Sequence, residues 1–150
     1  MITPKATHQS LKKRSVFVPI AALAAGVGAA DIPLCRIPCS GQVIGINIIP
    51  QGDDAGIDAS NTSVWLFEVG STSLGGKTYN NVTLFPDKGV VGAMTLSTTE
   101  ANLKRLEGDV VTYSITNGTT AATPASIVEI EYVISDAALF DTMHPAVSAT

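Results

Sequence analysis

The run closest in spacing to a ligand-binding motif is Ser71-Thr-Ser-Leu-Gly-Gly-Lys-Thr78, which nearly matches a phosphate-binding P-loop. A P-loop has a glycine at each end of a four-residue spacer before its lysine, because backbone amides must curl around the phosphate. Counting back from Lys77, Ser71 occupies the position of the first glycine. The residues that follow favour a strand, so no helix N-terminus would face a phosphate. We therefore expect a hairpin loop here, without nucleotide.

Acid–base and nucleophilic chemistry find little support in this chain. The only histidines are His8 and His144, one near each end, so a Ser–His or Cys–His pair would have to be built from the two ends. Glu129 and Glu131 fall on the same face of a predicted strand, but in a half-solvated sheet that is usually the wet face. We expect no enzymatic activity and no catalytic residue.

Metal ligands are also poorly arranged in the sequence. Asp53, Asp54 and Asp58 share one loop but lack the alternating spacing of a calcium loop. Cys35 and Cys39 would need two further ligands for zinc, and no nearby Cys or His supplies them. Extended backbone would separate these cysteines by about 13 Å, whereas a disulfide needs Cα atoms within ~7 Å and hence a bend at Pro38. We expect buried free thiols, no metal and no cofactor.

Short β-type runs separated by turn residues make up most of the chain. Strands that recur about every ten residues with Gly, Pro and Asn between them indicate an all-β fold, an antiparallel β-sandwich or jelly roll. One short crossover helix is predicted from Thr98 or Thr99 to Leu106, with a threonine cap and with Gly108 at its end. The predicted strands cover residues 32–37, 42–49, 63–69, 78–85, 90–96, 109–116 and 126–134.

Charge divides the chain near residue 30. Residues 1–30 carry four Lys/Arg and no acid, a net +4, whereas residues 31–150 carry five Lys/Arg against thirteen Asp/Glu, a net −8. We therefore predict an extended N-terminal arm (1–30), a sandwich domain (31–135) and a C-terminal tail (136–150). Charged residues make up 15% of the chain, below the roughly 25% of ordinary soluble domains, which suggests a surface partly hidden against partners.

Two interpretations of the N-terminal segment stay open. Its basic run followed by an apolar, small-residue stretch has the parts of a secretory signal, although Pro19 would break a helix in the apolar part. The alternative is an arm that packs on a neighbouring protein. The residues predicted to bind that partner are Lys12, Lys13, Arg14, Val16, Phe17, Val18 and Ile20. A membrane span is not expected, because the apolar stretch is shorter than the ~20 residues a bilayer needs.

Residues 32–134 resemble the small β-sandwich proteins that decorate or cement the capsids of tailed bacteriophages. The resemblance is one of strand style, and three stretches carry it. These are Ile37-Pro-Cys-Ser-Gly-Gln-Val-Ile-Gly-Ile-Asn-Ile-Ile-Pro50, Val64-Trp-Leu-Phe67, and Leu106-Glu-Gly-Asp-Val-Val-Thr-Tyr113 leading to Val128-Glu-Ile-Glu-Tyr-Val133.

The resemblance implies a structural virion protein that stabilises an icosahedral phage capsid from its outer surface by bridging neighbouring capsomers. Its implied partners are the major capsid protein and further copies of itself, as a homo-oligomer and specifically a trimer. Nucleic acid is not expected as a partner because the body is acidic, and no membrane partner is expected. Two alternatives remain: an exported β-sandwich adhesin or fibre subunit with residues 1–30 as signal peptide, and a carbohydrate-binding or hydrolytic jelly-roll module.

Overall fold

The computed structural model describes residues 13–134, which fold into two antiparallel β-sheets packed face to face. In chain order the described strands are β1 (Lys13–Ile20), β2 (Ala29–Arg36), β3 (Gly41–Pro50), β4 (Ser63–Val69), β5 (Thr72–Tyr79), β6 (Gly92–Ala93), β7 (Thr95–Leu96), β8 (Lys104–Arg105), β9 (Val110–Asn117) and β10 (Ser126–Val133). A helical turn, α1 (Glu100–Leu103), lies between β7 and β8. The predicted all-β antiparallel sandwich is confirmed.

The first sheet has the order β1-β10-β3-β6, with β8 also paired to β3, and the second has the order β2-β9-β4-β5-β7. Side chains alternate between the core and the outer face along β4, β9 and β10, as a period of two requires. In β10, Val128, Ile130 and Tyr132 are buried while the residues between them are partly exposed. Trp65 and Phe67, on the inner face of the second sheet, belong to the same hydrophobic core as Val128 and Ile130.

The N-terminal segment differs from the prediction, because β1 belongs to the sandwich. It pairs with β10 along its whole length, from Lys13 opposite Val133 to Ile20 opposite Ser126. Val16 and Val18 are partly buried and Ile20 is 7% exposed, so the alternating apolar residues of β1 face the domain's own core. The sandwich therefore includes residues 13–30, and the predicted arm is wrong for this part of the chain. Residues 1–12 and the predicted tail, 136–150, lie outside the described residues.

Two predicted strands and the helix also end differently. The predicted strand 78–85 stops at Tyr79, because the Asn80 side chain accepts hydrogen bonds from the Val82 and Thr83 amides and turns the chain. The predicted strand 90–96 is split between the two sheets: β6 lies beside β3 and β7 beside β5. Met94, between them, donates its amide to the Ile46 carbonyl. The helix is limited to α1, because β8 then pairs with β3.

A buried hydrogen-bond network around Asn117 joins the second sheet to the connection between β1 and β2. Asn117 Oδ1 accepts from Ser63 Oγ at 2.7 Å, and Ser63 Oγ accepts in turn from Trp65 Nε1 at 3.0 Å. Asn117 Nδ2 donates to the Val27 carbonyl at 3.1 Å and to Thr123 Oγ1 at 3.4 Å. Ser63, Asn117 and Thr123 are all buried, so each polar group depends on the others for its partners.

We expect Asn117→Ala to lower the free energy of unfolding by about 2–4 kcal/mol, because it leaves buried partners unsatisfied. Urea unfolding monitored by tryptophan fluorescence measures this change. Thr116→Ala is the matched control, since Thr116 is exposed on the same strand and its loss should change stability by about 0.5 kcal/mol at most. Equal stability of the two variants would contradict the role of the network.

Tyr79 presents the opposite case, a buried hydroxyl without a hydrogen-bond partner among the described residues. Its ring packs edge-on against Phe85, with centroids 4.9 Å apart, and against Trp65 at 6.5 Å. Burial in this aromatic cluster raises the pKa of the Tyr79 hydroxyl to about 12. Packing therefore holds the ring. The buried hydroxyl has lost its hydrogen bonds to water and forms none with the described residues.

Tyr79→Phe should therefore leave the free energy of unfolding unchanged or raise it by up to about 1–2 kcal/mol, because the substitution removes an unsatisfied buried group and keeps the ring. Urea unfolding provides the measurement. A loss of 1 kcal/mol or more (about the net value of one hydrogen bond) would mean that the hydroxyl has a stabilising partner after all.

Candidate attachment surface

Strand β1 lies at the edge of the first sheet, with β10 on one side and no strand of residues 13–134 on the other. Proline has no N–H, so Pro19 fits a position whose backbone groups point away from the neighbouring strand. Because backbone groups alternate along an antiparallel pair, Lys13, Ser15 and Phe17 direct their N–H and C=O groups to the free edge. Arg14, Val16 and Val18 then direct theirs to β10.

Phe17 is the feature that distinguishes this edge. Seven aromatic residues lie within the described chain, and the other six are at most 8% exposed. Phe17 is 58% exposed and lies opposite Glu129 on the outer face of the sheet. An exposed aromatic ring on a rigid strand is typical of residues that contribute strongly to protein–protein binding.

A polar cluster next to Phe17 joins three strands of the outer face. Lys13 Nζ forms an ion pair with Glu131 Oε2 at 2.8 Å. Asn47 Nδ2 donates to Glu131 Oε1 at 2.8 Å and to Glu129 Oε1 at 3.0 Å. The hydrogen bond with Lys13 lowers the pKa of Glu131, and the same contact raises the pKa of Lys13. The cluster therefore connects β1, β10 and β3 on a surface that water reaches.

The structure divides the predicted partner-binding residues into two groups. Lys13, Arg14 and Phe17 are exposed on the domain surface. Val16, Val18 and Ile20 face inward, and Ile20 belongs to the core of its own domain, so their apolar surface is already used. Lys12 lies outside the described residues. Sequence reasoning missed the contribution of Asn47, Glu129 and Glu131, which the pairing of β1 with β10 brings together.

The segment that nearly matched a P-loop forms strand β5, and its turn comes earlier, around Gly70. The sheet itself requires glycine at positions 75 and 76, because a Cβ at either position would clash with the backbone of an adjacent strand. Lys77 Nζ donates to the Ala93 carbonyl at 3.1 Å and lies 5.8 Å from the Tyr79 ring centroid. These residues therefore shape the sheet instead of cradling a ligand.

The carboxylates and cysteines considered as metal ligands occupy separate places. Asp58 Oδ1 accepts hydrogen bonds from the Ser60 and Asn61 amides, which lower its pKa and close a turn. Within residues 13–134, no three His, Cys, Asp or Glu side chains are grouped so as to hold a metal ion.

Both cysteines are free, but the expectation that both are buried is wrong, because Cys39 is exposed on the turn after β2. Cys35 is half-buried, and this burial raises the pKa of its thiol. Among the described residues, no helix has the length and apolar character to cross a membrane.

Glu131→Gln should loosen the N-terminal end of β1, because it removes the charge that holds Lys13. Amide exchange at Arg14 and Val16 should accelerate about two- to fivefold, while exchange at Val18 and Ile20 changes less. Glu129→Gln is the matched control, since Glu129 shares Asn47 but forms no ion pair with Lys13.

Lowering the pH should reproduce the effect of Glu131→Gln. The folded-state pKa of Glu131 is depressed, so its stabilisation is complete above the unfolded pKa and is lost as the pH falls through the folded value. The role of the ion pair would be contradicted if exchange at Arg14 and Val16 were no faster in Glu131→Gln than in Glu129→Gln. It would also be contradicted if exchange at these two amides, relative to Val18 and Ile20, did not change as the pH falls through the folded pKa of Glu131.

No protein-family model matches the chain, and no curated protein sequence matches it. Function is therefore inferred from the surface that the described residues present. Among the aromatic side chains of residues 13–134, the exposed one is Phe17, at the free edge of β1.

Proposed function

We propose that this chain is a non-enzymatic structural protein of a virion, which decorates the outer surface of an icosahedral bacteriophage capsid and stabilises it by bridging neighbouring capsomers. Its partners are the major capsid protein and further copies of itself, in a homo-oligomer such as a trimer. The observation that carries the proposal is the exposed Phe17 on an edge strand, at the end of the basic N-terminal segment.

The relative strength of the contacts favours Phe17 as the anchor. Complete burial of a phenylalanine side chain contributes about 1.5–3 kcal/mol, whereas exposed ion pairs contribute about 0–1 kcal/mol each and weaken with salt. Because Val18 and Ile20 already pack in their own domain, Phe17 is the large apolar side chain of β1 left for a partner. The basic residues would then mainly guide the approach to the capsid.

Because a symmetric shell offers several identical sites, an oligomer can bind it stably even when each single contact is weak. When one subunit of an oligomer is bound, the next subunit binds at a high effective concentration, so avidity exceeds the affinity of either contact. A small rigid sandwich with one anchor per copy suits this arrangement. The polar groups beside Phe17 also fit a structural role, since the Glu129 and Glu131 carboxylates accept hydrogen bonds from Asn47 and so join β10 to β3.

The alternative of an exported adhesin or fibre subunit requires cleavage near residue 30. Such cleavage would remove β1 and expose the edge of β10, which pairs with β1 over eight residues. The pairing therefore supports retention of residues 13–30 and makes the exported alternative weaker. A glycan-binding module would stack sugar rings on exposed aromatic side chains, and among the described residues Phe17 alone is available for that role.

The test is rebinding of the purified chain to capsids from which it has been stripped. Phe17→Ala should weaken rebinding by about ten- to a hundredfold, as expected from the loss of an apolar anchor. Replacing Lys12, Lys13 and Arg14 together with alanine should have a smaller effect at physiological salt, and mostly on the association rate.

Val64→Ala is the matched control, because Val64 is an exposed apolar side chain on the outer face of the other sheet. A variant lacking residues 1–12 removes Lys5 and Lys12 and leaves β1 in place, so it tests the contribution of these two charges separately. The attachment proposal fails if Phe17→Ala rebinds as tightly as Val64→Ala, or if the triple alanine variant is far weaker than Phe17→Ala.

A further inference from the structure

The two ends of the sandwich carry exposed apolar side chains and opposite charge. At one end, β1, β10 and β3 meet at Ile20, Ser126 and Pro50, and at the other they meet at Lys13, Val133 and Gln42. Eight residues of strand separate the ends by about 23 Å. Because of this distance, a contact between the two ends can form only between different copies of the chain.

The first end is acidic. It comprises the loops 21–28, 51–62, 80–91 and 118–125, which together contain four carboxylates and one lysine, a net −3. Asp53 and Asp87 lie near Asp54, whose pKa is raised first by burial and then by those two neighbouring charges. The loops are joined there, since the Gly89 amide donates to the Pro50 carbonyl at 2.8 Å.

Apolar side chains project from the same acidic end. Val82 is 82% exposed and Leu84 is 71% exposed, and Val90 and Val91 are more than half exposed. Their loop is held in place by Phe85, which is buried against Trp65 and Tyr79. An anchored loop with this much exposed apolar surface is typical of an interaction site.

The opposite end is basic. Residues 13–14, 36–40, 70–71 and 97–109, together with the Glu131 that pairs with Lys13, contain five Lys/Arg and four carboxylates, a net +1. Lys104 and Arg105 lie there because β8 pairs with the first residues of β3, and Arg36 lies there because the Ile37 amide donates to the Asp109 carbonyl. This end also exposes apolar side chains, Leu106 and Val110.

We infer that copies of this chain associate head to tail, with the basic end of one copy docked on the acidic end of the next. Contact between like ends would place charges of one sign together, so opposite charge selects unlike ends. Contacts between unlike surfaces generate a closed ring where the rotation closes and an open stack where it does not. The inference rests on the self-association in the proposed function and assigns surfaces to it, but it does not depend on capsid attachment.

The first experiment measures the mass of the full chain by sedimentation over a range of concentrations, without capsids. The wild type should associate, and association should weaken between about 50 and 500 mM salt because the guiding charges are exposed. Replacing Asp53, Asp54 and Asp87 with asparagine should raise the dissociation constant about tenfold. The control variant Ser73→Lys, Thr112→Lys, Ser114→Lys adds the same charge to the outer face of the second sheet, away from the acidic end, and should not raise the dissociation constant.

The second experiment exchanges charge between the ends. A variant with Asp53→Lys and Asp87→Lys, and another with Arg36→Glu and Lys104→Glu, should each self-associate less than the wild type. Mixed together, they should associate again, because each supplies the end that the other has lost.

A wild type that stays monomeric at low salt would overturn both the inference and the self-association, while leaving capsid rebinding through Phe17 to be judged separately. A wild type that associates as tightly as the charge variants, or mixed variants that fail to associate, would overturn the head-to-tail contact alone.

Discussion

The register of β10 is the constraint on which the first sheet depends. Its inward residues Val128, Ile130 and Tyr132 are buried, and its outward residues include Glu129 and Glu131. A slip by one residue would turn both carboxylates into the core, where an unpaired charge costs several kcal/mol, and would expose side chains whose burial contributes about 1.5–3 kcal/mol each. Since β10 pairs with β1 on one side and β3 on the other, this alternation fixes both neighbours.

The same register positions the candidate surface. It places Phe17 beside Glu129, and it brings Glu131 within reach of Lys13 and Asn47. It also places the start of β1 at the basic end of the domain and the end of β1 at the acidic end. The exposed aromatic anchor is thus a consequence of one strand pairing, whereas the charge difference between the ends comes from the loops and from the pairing of β8 with β3.

Much of the fold follows from period-two patterns in the sequence, and the exceptions have identifiable causes. Strands β3, β4, β9 and β10 alternate clearly and lie close to their predicted bounds. Val16, Val18 and Ile20 alternate as well. The basic residues before them and the Ala/Gly-rich stretch after them are typical of an arm or a signal, so the pattern was not interpreted as a strand. Strand β5 is built from Ser, Thr and Gly, whose strand preference is weak, and pairing with β4 overrides it. The exposure of Phe17 depends on which edge β1 occupies, and sequence alone does not give strand order.

The most direct measurement compares the free energy of unfolding of the chain beginning at Lys13 with that of the chain beginning at Asp31. If β1 is part of the domain, the longer chain should unfold cooperatively with the stability of residues 1–150. The shorter chain should lose several kcal/mol or fail to fold, because Ile20 and Val18 leave the core and β10 loses a neighbour. Equal stability of the two chains would show that residues 13–30 are an appendage and would contradict the account.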